Sequence, residues 1–443
     1  STGETLSPFN ALNADVNGDN VINILDAMRI AQAAASLCPT CLQCGAQRVW
    51  VSHIRGIQCE VVYYNTLADA VKDLMLNGIP VHNLPNGWYA ITATDIKTGK
   101  QFSTGCIVQH DQVKHFAMEK RWVIKDADED KVNSLQQDLK VHPVVCKLLV
   151  QRGIYTYEAA RKFFRPVLTD LYDPFLMKDM QKAIDRINTA IANNERILIY
   201  GDYDVDGTTS VALAYSFFYS IYKNIDYYIP DRYLEGYGIS TKGIDHAKQT
   251  ECSLVIALDC GIKAVDKIAY ANTLGVDFII CDHHIPGDEV PAAFAVLDPH
   301  QKDCNYPYKE LSGCGIGFKL IQAYAQHHQI AVENIIPYLD LVVVSIASDI
   351  VPITDENRVL AFFGIEQLNK NPRPGLKALI DISGYEGQLN ISNIVFGLGP
   401  RINAAGRIKH GNEAVALLTE YDLDQAEQFA SEIEQHNSDR KEL

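Results

Sequence analysis

The stretch that decides the fold is Arg196-Ile-Leu-Ile-Tyr-Gly-Asp-Tyr-Asp-Val-Asp-Gly207, in which a short apolar run leads directly into three aspartates. Apolar runs of this length are typical of strands buried on both faces of a parallel sheet. Asp202, Asp204 and Asp206 come where such a strand would end, and the Gly-Thr-Thr-Ser run after them indicates a helix start. Ligands of open α/β sheets bind beyond the carboxyl ends of the strands, so the pattern places three carboxylates at a candidate crevice.

Three further apolar runs also lead into carboxylates or histidines. They are residues 254–258 before Asp259, residues 278–281 before Asp282-His283-His284, and residues 341–346 shortly before Asp349. We expect all four runs to be strands of one parallel sheet, which would bring their polar residues to the same edge. Carboxylate oxygens together with imidazole favour a divalent metal site, and we expect it to hold two ions.

Each motif has a simpler structural explanation when it is taken alone. Three neighbouring aspartates can form a solvated turn, Asp259 and Asp349 can cap helices, and paired histidines occur on surfaces and in cores. Three carboxylates this close repel one another unless cations neutralise them. Because all four motifs follow apolar runs, one shared metal site explains them better than four separate structural roles.

The composition is that of a globular protein with an acidic excess. The 443 residues hold 39 Lys and Arg against 55 Asp and Glu, a formal net charge of -16. This argues against a non-specific coat on duplex DNA, although bound cations or a local basic groove permit a nucleic-acid substrate. No apolar run has membrane-spanning length, so no membrane partner is expected. Cysteines scattered through apolar segments after residue 117 are typical of free thiols in a reducing compartment.

Strand-like and helical runs alternate from about residue 195 to 355, a βαβ rhythm that predicts an α/β fold with a parallel sheet. A helical pattern precedes this part, and a small region with a calcium loop and β-strands comes first. The expected domains are a calcium loop and helix at 1–37, a small β-rich module at 38–117, a helical segment at 118–190, the catalytic domain at 191–411 and a truncated connecting helix at 412–443.

The N-terminal stretch contains a candidate calcium loop. Oxygen ligands stand at positions 1, 3, 5, 9 and 12 of the loop, with a backbone carbonyl at position 7, as in an EF-hand that ends in Asp. The residues are Asp15, Asn17, Asp19, Val21, Asn23 and Asp26. A helix is predicted to follow from Ala27 to Ala35. A solvated turn is the alternative. The loop and helix resemble half of a dockerin module, which implies Ca²⁺, an extracellular setting and a cohesin-like partner.

Cys38, Cys41 and Cys44 form a cluster whose role stays open. Metal binding needs a fourth ligand, which the sequence does not make obvious, and a thiol cluster or a disulfide is the alternative. Residues 45–113 alternate in places and carry Asn-Gly and Thr-Gly turn signals, which indicate a small β module.

Ordered motifs in residues 118–443 resemble the DHH phosphoesterase superfamily, and within it the RecJ family of bacterial single-strand-specific DNA exonucleases. The four motifs described above carry the superfamily resemblance. Further matching segments lie at 231–240 and at 312–319, the latter reading Ser-Gly-Cys-Gly-Ile-Gly-Phe-Lys. The motifs that point to RecJ are Glu-Gly-Tyr-Gly at 235–238 and Gly-Pro-Arg-Ile-Asn-Ala-Ala-Gly-Arg at 399–407.

The resemblance implies a metal-dependent exonuclease that hydrolyses phosphodiester bonds of single-stranded DNA from the 5′ end, in repair and recombination. Two Mn²⁺ or Mg²⁺ ions would hold the scissile phosphate. The implied metal ligands are Asp202, Asp204, Asp206, Asp259, Asp282, His283 and Asp349. The implied catalytic residues are Asp204, Asp206, His283 and His284, with His284 as phosphate contact or proton donor.

The resemblance also implies a substrate-binding set. Arg401 and Arg407 would clamp phosphate oxygens, where the structural alternative is two surface ion pairs. Tyr237 would stack on bases, since aromatic stacking tolerates any sequence. The full set is Arg232, Tyr237, Arg401, Asn403 and Arg407.

Two alternatives for function stay open. One is a related phosphodiesterase acting on short RNA oligomers or cyclic dinucleotides, and the other is a non-catalytic scaffold that carries the dockerin-like binding module. RecJ proteins continue into further domains, so the connecting helix at the end of the chain is expected to be truncated. A DNA exonuclease implies the cytoplasm for residues 118–443, which conflicts with the extracellular setting of residues 1–37.

Overall fold

The computed structural model describes residues 125–408 and 411–442, with side chains over 125–406 and 411–438, and before residue 125 it describes the backbone of short strands alone. Two compact units divide the chain, residues 1–126 and 127–443. The predicted calcium loop, the helix after it and the three clustered cysteines lie outside the described residues.

The strands of the first unit form one larger antiparallel sheet and two strand pairs. The larger sheet has the order β3-β2-β7-β8-β9, and the pairs are β1-β4 and β5-β6. Their bounds are Arg48–Val49 (β1), His53–Ile54 (β2), Ile57–Gln58 (β3), Val62–Tyr63 (β4), Met75–Leu76 (β5), Ile79–Pro80 (β6), Gly87–Thr94 (β7), Gln101–Gln109 (β8) and Gln112–Ala117 (β9).

Three short helices open the second unit. They are Glu129–Leu139 (α1), Pro143–Val150 (α2) and Tyr157–Phe164 (α3), followed by 3₁₀ turns at Leu168–Asp170 and Pro174–Leu176. The Asp128 side chain caps α1 by accepting from the Lys131 backbone N–H, and Thr156 caps α3. Val132, Leu135 and Leu149 belong to a small core that these helices share.

A five-stranded parallel sheet, in the order β11-β10-β12-β13-β14, is the centre of the second unit. The strands are Arg196–Gly201 (β10), Ile225–Tyr228 (β11), Cys252–Leu258 (β12), Asp277–Cys281 (β13) and Ala295–Leu297 (β14). The chain leaves β10 toward one side and returns to its other side with β12. The strand order therefore reverses between β10 and β12, and such a switch point is where open α/β sheets bind ligands.

Helices cover both faces of this sheet, which explains why the inner positions of its central strands are apolar on both faces. Ile197, Ile199 and Ile256 belong to the larger core, together with residues of α4, α5, α8 and α9. Leu198, Val255 and the other alternate residues belong to a second core with α6 and α7. The helices are Met180–Ala192 (α4), Val205–Ile221 (α5), Thr241–Gln249 (α6), Val265–Thr273 (α7), Gly313–His327 (α8) and Leu339–Ser348 (α9).

The prediction of a strand at residues 341–346 was wrong, because these residues lie within the helix α9. Every residue from Leu339 to Ala347 is buried, since α9 packs against α5, α8 and the helix that follows it. A helix that is buried all round has no polar face, so its apolar run looks like that of a buried strand. Two strands outside the four predicted runs, β11 and the three-residue β14, complete the sheet instead.

The prediction of one helix over residues 412–443 was also wrong, because that part contains two helices. The helices after α9 are Asp355–Lys370 (α10), Pro374–Ile382 (α11), Gly399–Ile408 (α12), Gly411–Thr419 (α13) and Leu423–Glu442 (α14). A helical turn at Ile391–Asn393 and a π-helical turn at Ile394–Leu398 lead into α12. Further 3₁₀ turns lie at Val332–Asn334 and Ile336–Tyr338.

The helix α8 carries a fully buried ion pair. Lys319 Nζ lies 3.0 Å from Glu356 Oε1 of α10, and both side chains are 0% exposed. The ammonium also donates to the Tyr172 carbonyl at 2.7 Å, and the Tyr306 hydroxyl donates to Glu356 Oε2 at 2.6 Å. A buried charge needs such partners, so this network ties α8, α10 and the segment around Tyr172 together.

Within the described residues, none of the helices is long and apolar enough to cross a membrane. The predicted α/β fold with a parallel sheet is confirmed. The predicted domain boundaries stay a prediction.

Candidate functional site

Asp204 and Asp206 are fixed by the start of α5, which follows β10 directly. Asp204 caps this helix, its Oδ1 accepting from the Gly207 N–H at 2.9 Å. Asp206 lies in the first helical turn and is buried. Its Oδ2 accepts from the Gly313 N–H at 2.7 Å, and its Oδ1 accepts from the Cys314 N–H at 2.8 Å and the Ser345 hydroxyl at 2.7 Å. The amino end of α8 thus holds the Asp206 carboxylate with backbone donors and a favourable helix dipole.

Gly313 is required for this arrangement. A Cβ at Gly313 would lie 2.6 Å from the Asp259 Cβ and 2.7 Å from the Asp259 Oδ1. Only a residue without a side chain lets α8 begin between the two carboxylates. Steric exclusion of a side chain therefore explains at least the first glycine of the 312–319 motif.

Asp259 lies at the end of β12 with an unusual backbone conformation. Its φ is +59°, in the left-handed region, and its backbone N–H donates to the Cys281 carbonyl at 2.8 Å. The side chain is 2% exposed, and its Oδ1 lies 3.1 Å from His283 Nε2. Backbone strain of this kind clusters at functional sites, where the surrounding structure enforces it.

His283 brings the carboxylates of three different elements together. Its Nε2 lies 3.1 Å from Asp259, 3.7 Å from Asp206 Oδ2 and 3.7 Å from Asp349 Oδ2. Asp349 is the C-cap of α9, and its side chain is 33% exposed. The ligand atoms of Asp206, His283 and Asp349 all lie within 4.8 Å of one another.

His284 forms a second group with Asp259 and His283. Its Nδ1 lies 2.7 Å from Asp282 Oδ1, and its Nε2 lies 3.2 Å from the Tyr237 hydroxyl. The Asp282 Oδ2 accepts from the Ile262 N–H at 2.9 Å, so both oxygens of this carboxylate already have partners. Asp282 therefore orients His284, and its carboxylate does not belong to the group of Asp206, Asp259 and Asp349 around His283 Nε2.

The pKa values of the clustered carboxyls are raised. Burial, with the charge of Asp204, raises the pKa of Asp202 to about 7. Burial, with the charge of Asp206, raises the pKa of Asp204, and the pKa of Asp259 lies well above its usual range for the same two reasons. Burial and Asp206 raise the pKa of Asp349 to about 6. A bound cation would stabilise the charged form of all four.

The His284–Asp282 pair behaves in the opposite way. Burial favours the protonated form of Asp282, but the hydrogen bond and charge of His284, together with the backbone N–H groups of Ile262 and His284, outweigh it and lower the pKa of this carboxyl. The same hydrogen bond raises the pKa of His284. The imidazole can therefore keep a proton to a higher pH than an ordinary histidine.

The donor set fits a divalent metal ion. Asp202 Oδ2 is buried without a hydrogen-bond donor among the described residues, and Asp259 Oδ1 faces His283 without a hydrogen bond of good geometry. Hard carboxylate oxygens and one imidazole are ligands that Mn²⁺ and Mg²⁺ accept. Among the ion pairs of the described residues, those of the cluster join its carboxylates to His283 and not to Lys or Arg. A side-chain cation of that kind therefore does not take the place of a metal ion.

The predicted substrate-binding residues lie in different surroundings. The Arg232 guanidinium lies over the Tyr203 ring at 5.0 Å, and Tyr237 packs edge-on against the same ring. Both therefore stand beside the aspartates of β10. Arg401 lies on α12, where its Nε is 2.6 Å from Glu434 of α14, so an acidic side chain already engages the proposed phosphate clamp. Asn403 lies on the same helix, and the side chain of Arg407 lies outside the described residues.

Sequence reasoning missed the groups that hold Asp206 in place. The Ser345 hydroxyl and the N–H groups of Gly313 and Cys314 bind its carboxylate, and the sequence offered only the Ser-Gly-Cys-Gly spacing as a signal. It also missed Asp298 and His300, which follow β14. Burial raises the pKa of Asp298 to about 7, and its Oδ1 accepts from the His300 N–H at 2.7 Å.

Comparison with known proteins agrees with this geometry. Residues 196–346 match the DHH family, N-terminal domain. A single-stranded-DNA-specific exonuclease RecJ from Bacillus subtilis (strain 168) is 44% identical over 328 residues, which are 74% of this chain and 41% of the relative. The RecJ of Escherichia coli (strain K12) is 34% identical over 314 residues, 68% of this chain and 54% of the relative.

A solved structure is also similar to this chain. The crystal structure of exonuclease RecJ bound to manganese has a TM-score of 0.56 at 28% sequence identity, and the match covers 62% of this chain and 68% of that chain. Residues 196–346 thus form a DHH-family domain. The chain is a homologue of the RecJ proteins, which confirms the resemblance seen in its motifs. It spans less than two thirds of the length of the two RecJ relatives. The dockerin-like character of residues 1–37 stays a prediction.

Proposed function

We propose that this chain hydrolyses phosphodiester bonds of single-stranded DNA in a reaction that depends on Mn²⁺ or Mg²⁺. The observation that carries the proposal is the meeting of Asp206, Asp259 and Asp349 around His283 Nε2, at distances of 3.1 to 3.7 Å. The relatives named single-stranded-DNA-specific exonucleases support the substrate, and the manganese-bound RecJ structure supports the metal.

Asp206, His283 and Asp349 would hold one ion, and Asp259 with Asp204 and Asp202 would complete the ligands for a second. When bound, such ions supply a Lewis acid that polarises the phosphate and activates a water. The chain contributes fixed geometry, since two backbone N–H groups and Ser345 prevent the Asp206 carboxylate from turning. This rigidity is what positions ligands for catalysis.

His284 is proposed to hold a proton at the edge of the cluster. Asp282 fixes its Nδ1 at 2.7 Å, which leaves Nε2 directed toward Tyr237 and the crevice. A protonated imidazole there can contact a phosphate oxygen or donate a proton to the leaving oxygen.

The single-stranded substrate and 5′ polarity are part of this proposal. Tyr203 and Tyr237 lie beside the aspartates of β10, and aromatic rings can stack on unpaired bases of any sequence. Arg232, on the Tyr203 ring, adds a positive charge that attracts a phosphate. Residues 118–443 are proposed to work in a reducing compartment such as the cytoplasm, because the six cysteines of this part are free and buried.

The test is hydrolysis of a 5′-labelled and a 3′-labelled oligodeoxynucleotide by the full chain, with Mn²⁺ and with EDTA. Asp349→Asn removes one proposed ligand whose side chain is partly exposed, so the fold should survive. Asp226→Asn is the matched control, because Asp226 lies on β11 and pairs with Arg196 at 3.3 Å.

We expect Mn²⁺-dependent release of mononucleotides from the 5′ end, lost in Asp349→Asn and kept in Asp226→Asn. Equal activity of Asp349→Asn and wild type would refute the metal assignment. Turnover of a dinucleotide or a cyclic dinucleotide without turnover of the longer strand would move the proposal to the short-substrate alternative.

A further inference from the structure

Ile350 has a backbone conformation that its residue type disfavours. It directly follows Asp349, the C-cap of α9, and its φ is +59°. This position after a helix usually holds glycine, because a Cβ collides with the backbone in the left-handed region. Eight described residues other than glycine have a positive φ, and Ile350 is the one among them that is branched at Cβ. Strain is largest for that class of side chain.

Packing of the Ile350 side chain does not explain this choice. The residue is 80% exposed, more than any other large apolar residue in the described part of the chain. An exposed isoleucine gains little from burial, and glycine or asparagine would adopt the same turn at lower cost. A residue that breaks a local rule without a compensating contact inside the protein points to a contact outside it.

The turn around Ile350 is held firmly from both sides. Before it, the Asp349 N–H donates to the Ser345 carbonyl at 2.9 Å, and after it Val351 packs against the larger core. The Pro352 carbonyl accepts from the Tyr308 hydroxyl at 3.1 Å and from Asn357 Nδ2 at 3.0 Å. These contacts enforce the left-handed conformation, so the Ile350 side chain is held in solvent rather than free to fold back.

The place of Ile350 identifies what it can contact. Its Cα is one residue, about 3.8 Å, from the Cα of Asp349, whose carboxylate faces His283. A phosphate held at the cluster therefore brings its own nucleoside within reach of Ile350. The chain has a net charge of -16, so an apolar contact can add strand affinity that its overall charge does not supply.

We propose that Ile350 is a substrate-binding residue that contacts the apolar surface of a nucleoside next to the phosphate at the cluster. This inference rests on the proposed function and adds a binding contact to it. Its side chain acts on strand affinity, while Asp206, Asp259, His283 and Asp349 act on the metal and on the chemical step.

The test compares Ile350→Gly with Gln329→Gly in the full chain. Gln329 also has a left-handed conformation after a helix, with φ +56°, and it follows the far end of α8, about 20 Å along that helix from Gly313. Affinity for a fluorescent oligothymidylate is measured by anisotropy with Ca²⁺, so that turnover is not needed. Hydrolysis with Mn²⁺, Mn²⁺ affinity by calorimetry and the melting temperature are measured on the same samples.

We expect both variants to melt at or above the wild-type temperature, because each relieves a left-handed side chain. Ile350→Gly should bind the strand about three- to tenfold more weakly, the scale of losing one aliphatic contact, with unchanged Mn²⁺ affinity and unchanged kcat. Gln329→Gly should bind as wild type does. An abasic strand should show a smaller difference between Ile350→Gly and wild type if the base is contacted, and an equal difference if the sugar is.

Unchanged strand affinity of Ile350→Gly would overturn the inference. A parallel loss of Mn²⁺ affinity, or a lower melting temperature, would also overturn it by showing a structural role through Asp349. Wild type that binds the strand but does not cleave it with Mn²⁺ would refute the proposed function alone. Wild type that neither binds nor cleaves would refute both.

Discussion

Two groups of buried charges in the second unit follow opposite rules. Around His283, several carboxylates crowd together and the pKa values of Asp202, Asp204, Asp259 and Asp349 are raised. Around Lys319, one ammonium meets one carboxylate, and every oxygen of Glu356 has a donor. The helix α8 takes part in both, with its first residues at Asp206 and Lys319 further along. The comparison teaches that a charge buried for stability is paired, and that unpaired like charges mark a place where a ligand is expected.

The largest expected effect is on activity, from Asp259→Asn. The substitution keeps the size of the side chain and removes one of the crowded charges. We expect turnover of single-stranded DNA to fall by about 1000-fold or more, the scale of removing one preorganised charged group. The metal-free protein should melt no lower than wild type, because an amide at this buried position costs less than a carboxylate. Turnover and differential scanning calorimetry measure the two effects, and retained turnover would contradict the role of Asp259.

The opposite result is expected from Lys319→Met. This change leaves the Glu356 carboxylate buried without its cation, and we expect a loss of about 3–5 kcal/mol in the free energy of unfolding. Activity per folded molecule should stay near wild type, since Lys319 does not contact the cluster. Urea unfolding measures the loss. The double variant Lys319→Met with Glu356→Gln is the control, and it should recover much of the stability because no charge remains.

A more gradual effect is expected from pH. The pKa of Asp202 is about 7 in the folded protein and near 3.9 when the chain is unfolded, so the folded state keeps a proton that the unfolded state loses. Stability of the metal-free protein should therefore fall as pH rises from about 4 to about 7, by about 1.4 kcal/mol per pH unit for one such carboxyl.

Metal ions should reverse this trend. Ligand carboxylates must lose their protons to bind Mn²⁺, so the rise in melting temperature on adding Mn²⁺ should be larger at pH 8 than at pH 6. Thermal melts at both pH values, with and without Mn²⁺, check both statements. An equal Mn²⁺ effect at the two pH values would mean that the raised carboxyls are not the ligands.

The smallest effect is expected from Tyr237→Phe. It removes the hydroxyl that lies 3.2 Å from His284 Nε2, and with it one side-chain hydrogen bond. We expect turnover to fall by about three- to tenfold, which corresponds to about 1 kcal/mol, with little change in melting temperature. Tyr270→Phe, which removes a hydroxyl bound to Asp245 at 2.7 Å on the surface of α6 and α7, should change neither. A larger loss than that of Asp259→Asn would show that Tyr237 has a direct part in the chemical step.

The sequence predicted the cluster because its residues directly follow elements that are easy to recognise. Asp259 and His283 stand at the ends of β12 and β13, and Asp206 lies in the first turn of α5, which follows β10. The apolar runs of these three strands determine both the sheet and the edge at which the side chains meet. Asp349 was placed correctly beside them by its motif, although the element before it is the helix α9. A buried helix and a buried strand can have the same continuous apolar run, so the sequence pattern alone could not show that residues 341–346 are helical.

Other parts of the site depended on contacts that one-dimensional spacing does not contain. Ser345 lies within α9 and reaches Asp206 across 139 residues of sequence, and the sequence offers no signal for such a bond. The ion pair of Arg401 could not be predicted either, because its partner Glu434 lies on a helix that starts more than 20 residues later. The strain at Ile350 follows from tertiary contacts of its neighbours, which residue preferences oppose rather than predict.

The helix α8 sets a fixed distance between the carboxylate cluster around His283 and the Lys319–Glu356 ion pair. Gly313 and Cys314 bind Asp206 at one end, and Lys319 binds Glu356 less than two helical turns further on. Inserting one residue between these points would rotate one group against the other by about 100° and shift it by about 1.5 Å. The two contacts could not then form together. This short segment should therefore tolerate no change in its length.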